Sequence, residues 1–169
     1  RGQYIAFLDV DDLWRPGKIA RQVGAIESEG AALCYTDEVW IKDGRWVNQG
    51  KRHAKFSGRI FERCLPLCII SPSSALIRRE VFEEVGVFDE AMTVCEDYDM
   101  WLRITNLHAV IFLGEKFIVK RAGHGDQLSR RYTGMDRFRI ESLAKLLRGG
   151  ELLPCYRAAT QEELRKKCA

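Results

Sequence analysis

Apolar and polar residues alternate along this chain with a changing period, and each period predicts an element. Tyr4 to Leu8 is a short, mostly apolar run, which predicts a buried strand. Ile19, Val23 and Ile26 then recur at helical spacing up to Gly30, behind a Pro16 suited to a first helical turn. Ala31 to Tyr35 predicts a second buried strand ending at Thr36, Asp37 and Glu38. Val39 to Ile41 and Trp46-Val47 flank Lys42-Asp43-Gly44-Arg45, the pattern of a hairpin with an Asp-Gly turn. Ser57 is placed to cap a helix running to about Cys64. Ser74 to Ile77 predicts a strand, and Glu80 to Val85 a short helix closed by Gly86. Asp97 to Thr105 predicts an amphipathic helix with Met100, Trp101 and Ile104 on its apolar side. His108 to Leu113 and Lys116 to Lys120 predict two strands. Ala122 to Gly134 is polar and glycine-rich, the composition of a mobile loop. Asp136 to Leu147 and Pro154 to Lys167 predict closing helices. The mixture is that of an α/β protein, and no repeat or linker divides it.

Composition narrows the reading. A chain of 169 residues can build one domain with a real core. Its 27 Lys and Arg against 24 Asp and Glu leave a charge of +3, too little to point to nucleic acid, although the last third is distinctly basic. No segment has the length and apolarity of a membrane-spanning helix, and no signal peptide is visible. A start at Arg1, directly before a core strand, is expected of a segment of a longer polypeptide. Of the cysteines Cys34, Cys64, Cys68, Cys95, Cys155 and Cys168, only Cys64 and Cys68 are close together, and no second pair completes a zinc spacing. The expectation is reduced, structural thiols in a cytoplasmic protein.

Two acidic clusters carry the candidate chemistry. Asp9, Asp11 and Asp12 follow the first strand, where α/β proteins place ligands. Carboxylates so close together repel one another unless a cation sits among them. A hard divalent cation that keeps positions open for phosphate oxygens suits such a turn. The second cluster, Glu96-Asp97-Tyr98-Asp99, opens a predicted helix. Asp97 as N-cap accounts for one of these carboxylates; Asp97 or Glu96 could equally serve as a general base. Together the clusters divide the labour of group transfer: one holds a metal on a diphosphate, the other takes a proton from an attacking hydroxyl.

Three segments resemble inverting family 2 glycosyltransferases of the GT-A fold. They are Gly2-Gln3-Tyr4-Ile5-Ala6-Phe7-Leu8-Asp9-x-Asp11-Asp12-x-Trp14-x-Pro16-x-Lys18, then Ser73 to Asp89-Glu90, then Glu96-Asp97-Tyr98-Asp99-Met100-Trp101-Leu102-Arg103. They occur in the family's order over roughly Arg1 to Leu113. The resemblance implies that Asp9 and Asp11 form the Asp-x-Asp motif, binding a nucleotide-sugar donor and its Mg²⁺ or Mn²⁺, with Asp12 as a ligand or a supporting neighbour. It implies Asp97 as the catalytic base with Glu96 beside it, and a structural Asp99. Ser71 to Ser74 would lie near the acceptor. In the loop, His124 is a candidate metal ligand, and Arg130 and Arg131 are candidate contacts to the donor pyrophosphate. Gln127-x-x-Arg130 is similar to part of the Gln-x-x-Arg-Trp motif of processive synthases, but Arg131 stands where the Trp would be. A non-processive transferase fits better. The acceptor would be a glycan, a lipid-linked or another hydroxyl compound, with no nucleic acid involved. The implied setting is bacterial cell-surface glycan synthesis, in the cytoplasm or peripherally at the inner face of the membrane.

The chain departs from the family in one large respect. Residues 1–169 correspond to the C-terminal portion of a GT-A domain, with 1–113 as catalytic core and 114–169 as flexible loop plus C-terminal helices. The strand–helix–strand half that supplies most of the nucleoside pocket is missing ahead of Asp9. This predicts an open sheet edge, which a homodimer could cover, and poor sugar transfer by this polypeptide alone. A non-catalytic metal- or sugar-nucleotide-binding module is therefore the main alternative. A phosphohydrolase of the haloacid dehalogenase type is a weaker one, because Asp12-Leu13-Trp14 stands where that family has Gly-Thr. The aromatics Tyr35, Trp40 and Trp46 could stack on an acceptor sugar or simply pack.

Overall fold

The computed structural model describes residues 2–122 and 134–169. Its elements in chain order are β1 (Tyr4–Ala6), β2 (Leu13–Trp14), α1 (Lys18–Glu29), β3 (Leu33–Lys42), β4 (Arg45–Val47), α2 (Phe61–Cys64), β5 (Leu76–Arg78), α3 (Arg79–Val85), α4 (Glu96–Leu107), β6 (Val110–Ala122), α5 (Asp136–Arg148) and α6 (Pro154–Cys168), with short 3₁₀ turns at Lys51–His53 and Pro72–Ser74. The six strands form one mixed sheet in the order β1-β5-β3-β6-β2, and β4 pairs with the far end of β3. β3 and β6 run parallel and are the backbone of the sheet; every other pairing is antiparallel.

Alternation along the strands sorts the core into two layers. Leu33, Tyr35, Ile77 and Val110 face the larger cluster, where Phe61, Tyr98, Met100, Trp101, Ile104 and Leu143 pack from the helices. Cys34, Leu76 and Ile111 face the opposite side, where α1 lays down Ala25 and Ile26. Tyr35 is thus a core residue, fully buried, its hydroxyl donating to the Phe56 carbonyl at 2.8 Å. It is not available to stack on a sugar.

Several local expectations are corrected by long-range pairing. The segments expected as separate strands at 108–113 and 116–120 are one strand, β6. Between Thr36 and Glu38, β3 advances two residues while β6 advances five, from Leu113 to Ile118, so extra residues of β6 bulge out of an otherwise continuous ladder. β3 likewise runs unbroken into the hairpin, which closes through Asp43 (φ 50°) and Gly44 (φ 74°), the paired positive angles of a type I′ turn. Ser57 caps no helix. Its hydroxyl accepts the Phe112 N–H at 2.9 Å, and α2 begins only at Phe61. The sheet offered Ser57 a backbone partner that the local pattern could not reveal. The expected mobile loop lies for the most part outside the described residues.

α4 differs most from its amphipathic pattern. Met100, Trp101 and Ile104 are buried as expected, but so are Tyr98, Asp99, Leu102, Thr105 and Asn106. Several of its polar side chains are satisfied internally, although Trp101 Nε1–H has no acceptor among the described residues. Asp99 pairs with Arg103 at 2.9 Å and with Lys145 of α5 at 3.3 Å, and Asn106 bonds the backbone of Glu151 and Leu153, each at 3.0 Å. Arg103 also reaches the carbonyls of Val85 and Val87, across the turn at Gly86. The helix that begins at the second acidic cluster is therefore a central post of the fold.

Candidate active site

The first acidic cluster sits on a clamped turn. After β1 the chain folds back, the Asp12 N–H donating to the Asp9 carbonyl at 3.1 Å. The 3₁₀ turn at Pro72–Ser74 holds it from below: Ser73 Oγ accepts the Asp9 N–H at 3.0 Å, and the Ser73 carbonyl accepts Trp14 Nε1–H at 2.9 Å. Gln22 secures that 3₁₀ turn in place, donating to the carbonyls of Cys34 and Ser74, each at 2.8 Å. The buried Lys18 ammonium lies 4.3 Å from the centre of the Trp14 ring, and burial lowers its pKa to about 8. The Ser71–Ser74 stretch, expected near the acceptor, thus serves at least partly as the floor of the Asp-x-Asp turn. Asp12 is buried beside the Ser73 hydroxyl, with no well-aligned hydrogen bond to either of its oxygens among the described residues. Burial pushes its pKa up, with Ser73 and the Lys120 charge acting the other way.

The second cluster is built differently. The N-cap of α4 is Cys95, at a left-handed φ of 64°, so Asp97 is not the cap but a residue of the first turn. A non-glycine residue in that region is strained, and such strain recurs at functional sites. Asp97 is held from two sides: Oδ1 accepts the Tyr98 N–H at 2.7 Å, and Oδ2 accepts the Cys68 thiol at 3.3 Å. Burial raises the pKa of Asp97, an effect that Cys68, the Tyr98 N–H and Lys120 oppose and the Asp9 charge reinforces. Glu96 is raised too, by burial first and then by the charges of Asp97 and Asp9. Sequence positions 9 and 97 are therefore electrostatic neighbours.

Lys120 links the two clusters, and sequence reasoning passed over it. It lies on β6 opposite Trp40. Burial disfavours its charge, but Glu38, Asp12 and Asp9 more than compensate and its pKa is raised. Glu38 is a second omission. It is buried, receives Ser71 Oγ–H at 2.7 Å and Trp40 Nε1–H at 2.6 Å, and pairs with Lys55 at 3.1 Å. Burial raises its pKa, but Lys55 and Lys120 win, and the net shift is downward. The only early signal for either residue was a charge inside a predicted strand or at its end. Asp97, Glu38, Lys120 and Cys68 line one cleft of about 730 Å³ together with Trp40, Lys42, Arg52 and Arg139. His124, Arg130 and Arg131 lie outside the described residues.

A sequence profile described as glycosyl transferase family 2 matches residues 1–86, half of the chain. The chain belongs to glycosyltransferase family 2. Similar proteins include uncharacterised glycosyltransferases of Rickettsia felis, 28% identical over 137 residues, and of Rickettsia typhi, 27% identical over 127 residues. The matches cover 78% and 72% of this chain but only 23% and 40% of those proteins. The fold is GT-A. Staphylococcus aureus TarS residues 1–349, solved with UDP-GlcNAc, matches with a TM-score of 0.70 at 15% identity, covering 99% of this chain and 48% of that one. The same TarS segment solved without that ligand gives 0.67. No helix among the described residues is long and apolar enough to cross a membrane.

Within this family 2 framework, the donor set at the turn fits a hard divalent ion held mainly by its substrate. Among the described residues no three His, Cys, Asp or Glu side chains converge into a cage. Mg²⁺ does not need one: it binds one or two carboxylates and takes its remaining oxygens from phosphate and water. Asp9, Asp11 and Asp12 crowd three carboxylates onto one turn, and the Lys120 charge that faces Asp9 and Asp12 is shared with Glu38, which leaves negative charge that such an ion would balance.

Proposed function

We propose that the family 2 protein containing this chain transfers a sugar from a nucleoside-diphosphate donor to an acceptor hydroxyl, with inversion at the anomeric carbon. The observation that carries this reading is that one short stretch of chain holds both carboxylate sets: Cys68 bonds Asp97 and, five residues on, Ser73 bonds the Asp9 N–H, with the Asp9 charge also acting on Asp97 and Glu96. Asp97 is the base: fixed by Cys68 and the Tyr98 N–H, and raised by burial, it takes the proton from the acceptor hydroxyl as that oxygen attacks. The glycosidic bond to the diphosphate breaks as the new one forms on the opposite face. Asp11 and Asp9 would hold a Mg²⁺ or Mn²⁺, which when bound neutralises charge on the departing diphosphate. Lys120 balances Asp9, Asp12 and Glu38, so that Asp97 does not face unscreened carboxylates.

The UDP-GlcNAc complex of TarS supports a nucleotide-sugar donor. The setting proposed for this transfer is bacterial cell-surface glycan synthesis on the cytoplasmic side of the membrane; the similar glycosyltransferases are bacterial. Screening the full-length protein by thermal shift against nucleoside diphosphates and nucleotide sugars, with and without Mn²⁺, tests the reading. A specific sugar nucleotide raises the melting temperature by mass action only if the donor site exists. No shift with any of them overturns it. A shift without any transfer to any acceptor supports a non-catalytic binding module instead.

A further inference from the structure

The cleft beside Asp97 has a charge pattern that the transfer chemistry alone does not require. Asp97 lines it, but neither Asp9 nor Asp11 does. Lys42, Arg52, Lys55, Lys120 and Arg139 line it, against the carboxylates Glu38 and Asp97. Lys55 is already committed, 3.1 Å from Glu38 and 3.3 Å from Asp37. Among the described residues no carboxylate lies within ion-pair distance of Lys42, Arg52 or Lys120. Arg139 spends one arm on Asp136, Nη1 to Oδ1 at 2.9 Å, and its buried Nε–H has no acceptor among the described residues. Cations gathered in one concave site repel one another unless an anion joins them. Lys120 is already balanced by Glu38, Asp12 and Asp9; the two guanidinium groups and the Lys42 ammonium that remain exceed what one carboxylate of a ligand would need, and suit a phosphate dianion. Leu67, Ile69 and Ile70 supply an apolar wall for the carbon skeleton that carries it.

We infer that this cleft recognises the acceptor through a phosphate group, so that the acceptor is a phosphate-bearing alcohol whose free hydroxyl reaches Asp97. This rests on the sugar-transfer reading above and adds the class of acceptor to it. The phosphate can belong to a soluble polyol phosphate or to a phospholipid headgroup, and the test separates the two.

The full-length protein is freed of metal with EDTA and titrated with glycerol 3-phosphate, with glycerol as the neutral control. The expected result is binding of glycerol 3-phosphate at least about tenfold tighter than of glycerol. That preference falls by about tenfold in Arg139→Gln and in the doubly substituted Lys42→Gln, Arg52→Gln protein, whose two positions are exposed and do not support the core. Sedimentation with phosphatidylglycerol and phosphatidylcholine vesicles runs in parallel. Pelleting with phosphatidylglycerol alone, lost in the double variant, assigns the phosphate to a lipid; binding of the soluble ester without pelleting assigns it to a free polyol phosphate. Equal affinity for glycerol and its phosphate overturns the inference, as does a preference unchanged in both variants. Displacement of glycerol 3-phosphate by uridine diphosphate with Mn²⁺ also overturns it, by placing the anion in the donor half. Nucleotide-sugar binding without glycerol 3-phosphate binding removes this inference and leaves sugar transfer standing. Glycerol 3-phosphate binding in a protein that binds no nucleotide sugar leaves an anion cleft but removes its role as an acceptor site.

Discussion

The two carboxylate clusters occupy opposite mechanical settings. The Asp9–Asp12 turn hangs from a three-residue edge strand, with Leu8 49% exposed and Val10 fully exposed beside its acids. Asp97 projects from a helix whose Met100 and Trp101 are 0% and 1% exposed. The backbone of that turn is clamped by Ser73, yet its half-buried Asp9 and Asp11 side chains lie near the surface, where a proposed diphosphate and ion would supply most of the oxygens themselves. A base must already be aimed, because proton transfer requires hydrogen-bond reach in the transition state. The more rigid element carries the group that can least tolerate misplacement.

This contrast can be broken most sharply at Asp97. In the full-length enzyme Asp97→Asn should lower sugar transfer by a factor of about 10² to 10⁴, with nucleotide-sugar affinity held within about twofold. Parallel rate and calorimetric measurements check this, and unchanged transfer would remove Asp97 as base. Next in size is the core beneath it. Met100→Ala should cost about 2–5 kcal/mol in chemical denaturation, whereas Val10→Ala, between the donor carboxylates, should stay within about 0.5 kcal/mol. Comparable losses at both positions would erase the distinction between post and turn. At the turn itself, Asp11→Ala should weaken Mn²⁺-dependent donor binding by about tenfold to a hundredfold, with little change in metal-free binding.

The smallest effect concerns pH and has an opposite sign for stability and rate. Burial raises the pKa of Asp97 above its ordinary 3.8. The stability gained by protonating it is fully present below the unfolded value and is lost as pH rises through the folded one. At neutral pH the ionised carboxylate therefore weighs against the fold, and Asp97→Asn should raise the melting temperature slightly at pH 7 but not at pH 3. The base must be ionised to act, so transfer should decline as pH falls through that raised pKa, above the usual aspartate range. A variant that loses turnover while gaining stability marks a group retained for chemistry. Glu38 provides the internal control. Its pKa is lowered, so its ionisation supports the fold at neutral pH, and that support fades as acid protonates it.

The elements whose signals are local were legible before the structure. The Asp-Gly hairpin turn, the closure of α3 at Gly86 and the apolar side of α4 follow from chemistry within a few residues. Both acidic clusters were visible as well, because carboxylates concentrated at element ends are conspicuous. The residues that aim and balance them were not. Cys68 reaches Asp97 across 29 positions, Ser73 reaches Asp9 across 64, and Lys120 comes from a different strand altogether. No period or spacing encodes such partnerships; they exist only once β5, β3 and β6 lie side by side. An acidic helix start offers Asp97 as N-cap beside its reading as a base, and the strained Cys95 takes the cap instead. Ser57 went to the sheet for the same reason: a tertiary acceptor outweighed a local preference.

The bulge in β6 has a consequence for how such a chain can change its length. Between Leu113 and Ile118 the strand carries residues that its partner does not match, yet Lys120 still stands opposite Trp40. That stretch behaves as an expansion joint. A residue gained or lost there is absorbed as slack, whereas the same change on either side of it would slide Lys120 by a position and turn its ammonium to the opposite face of the sheet. This strand can thus change length at this point without disturbing the charge of Lys120 that lies between the two acidic clusters.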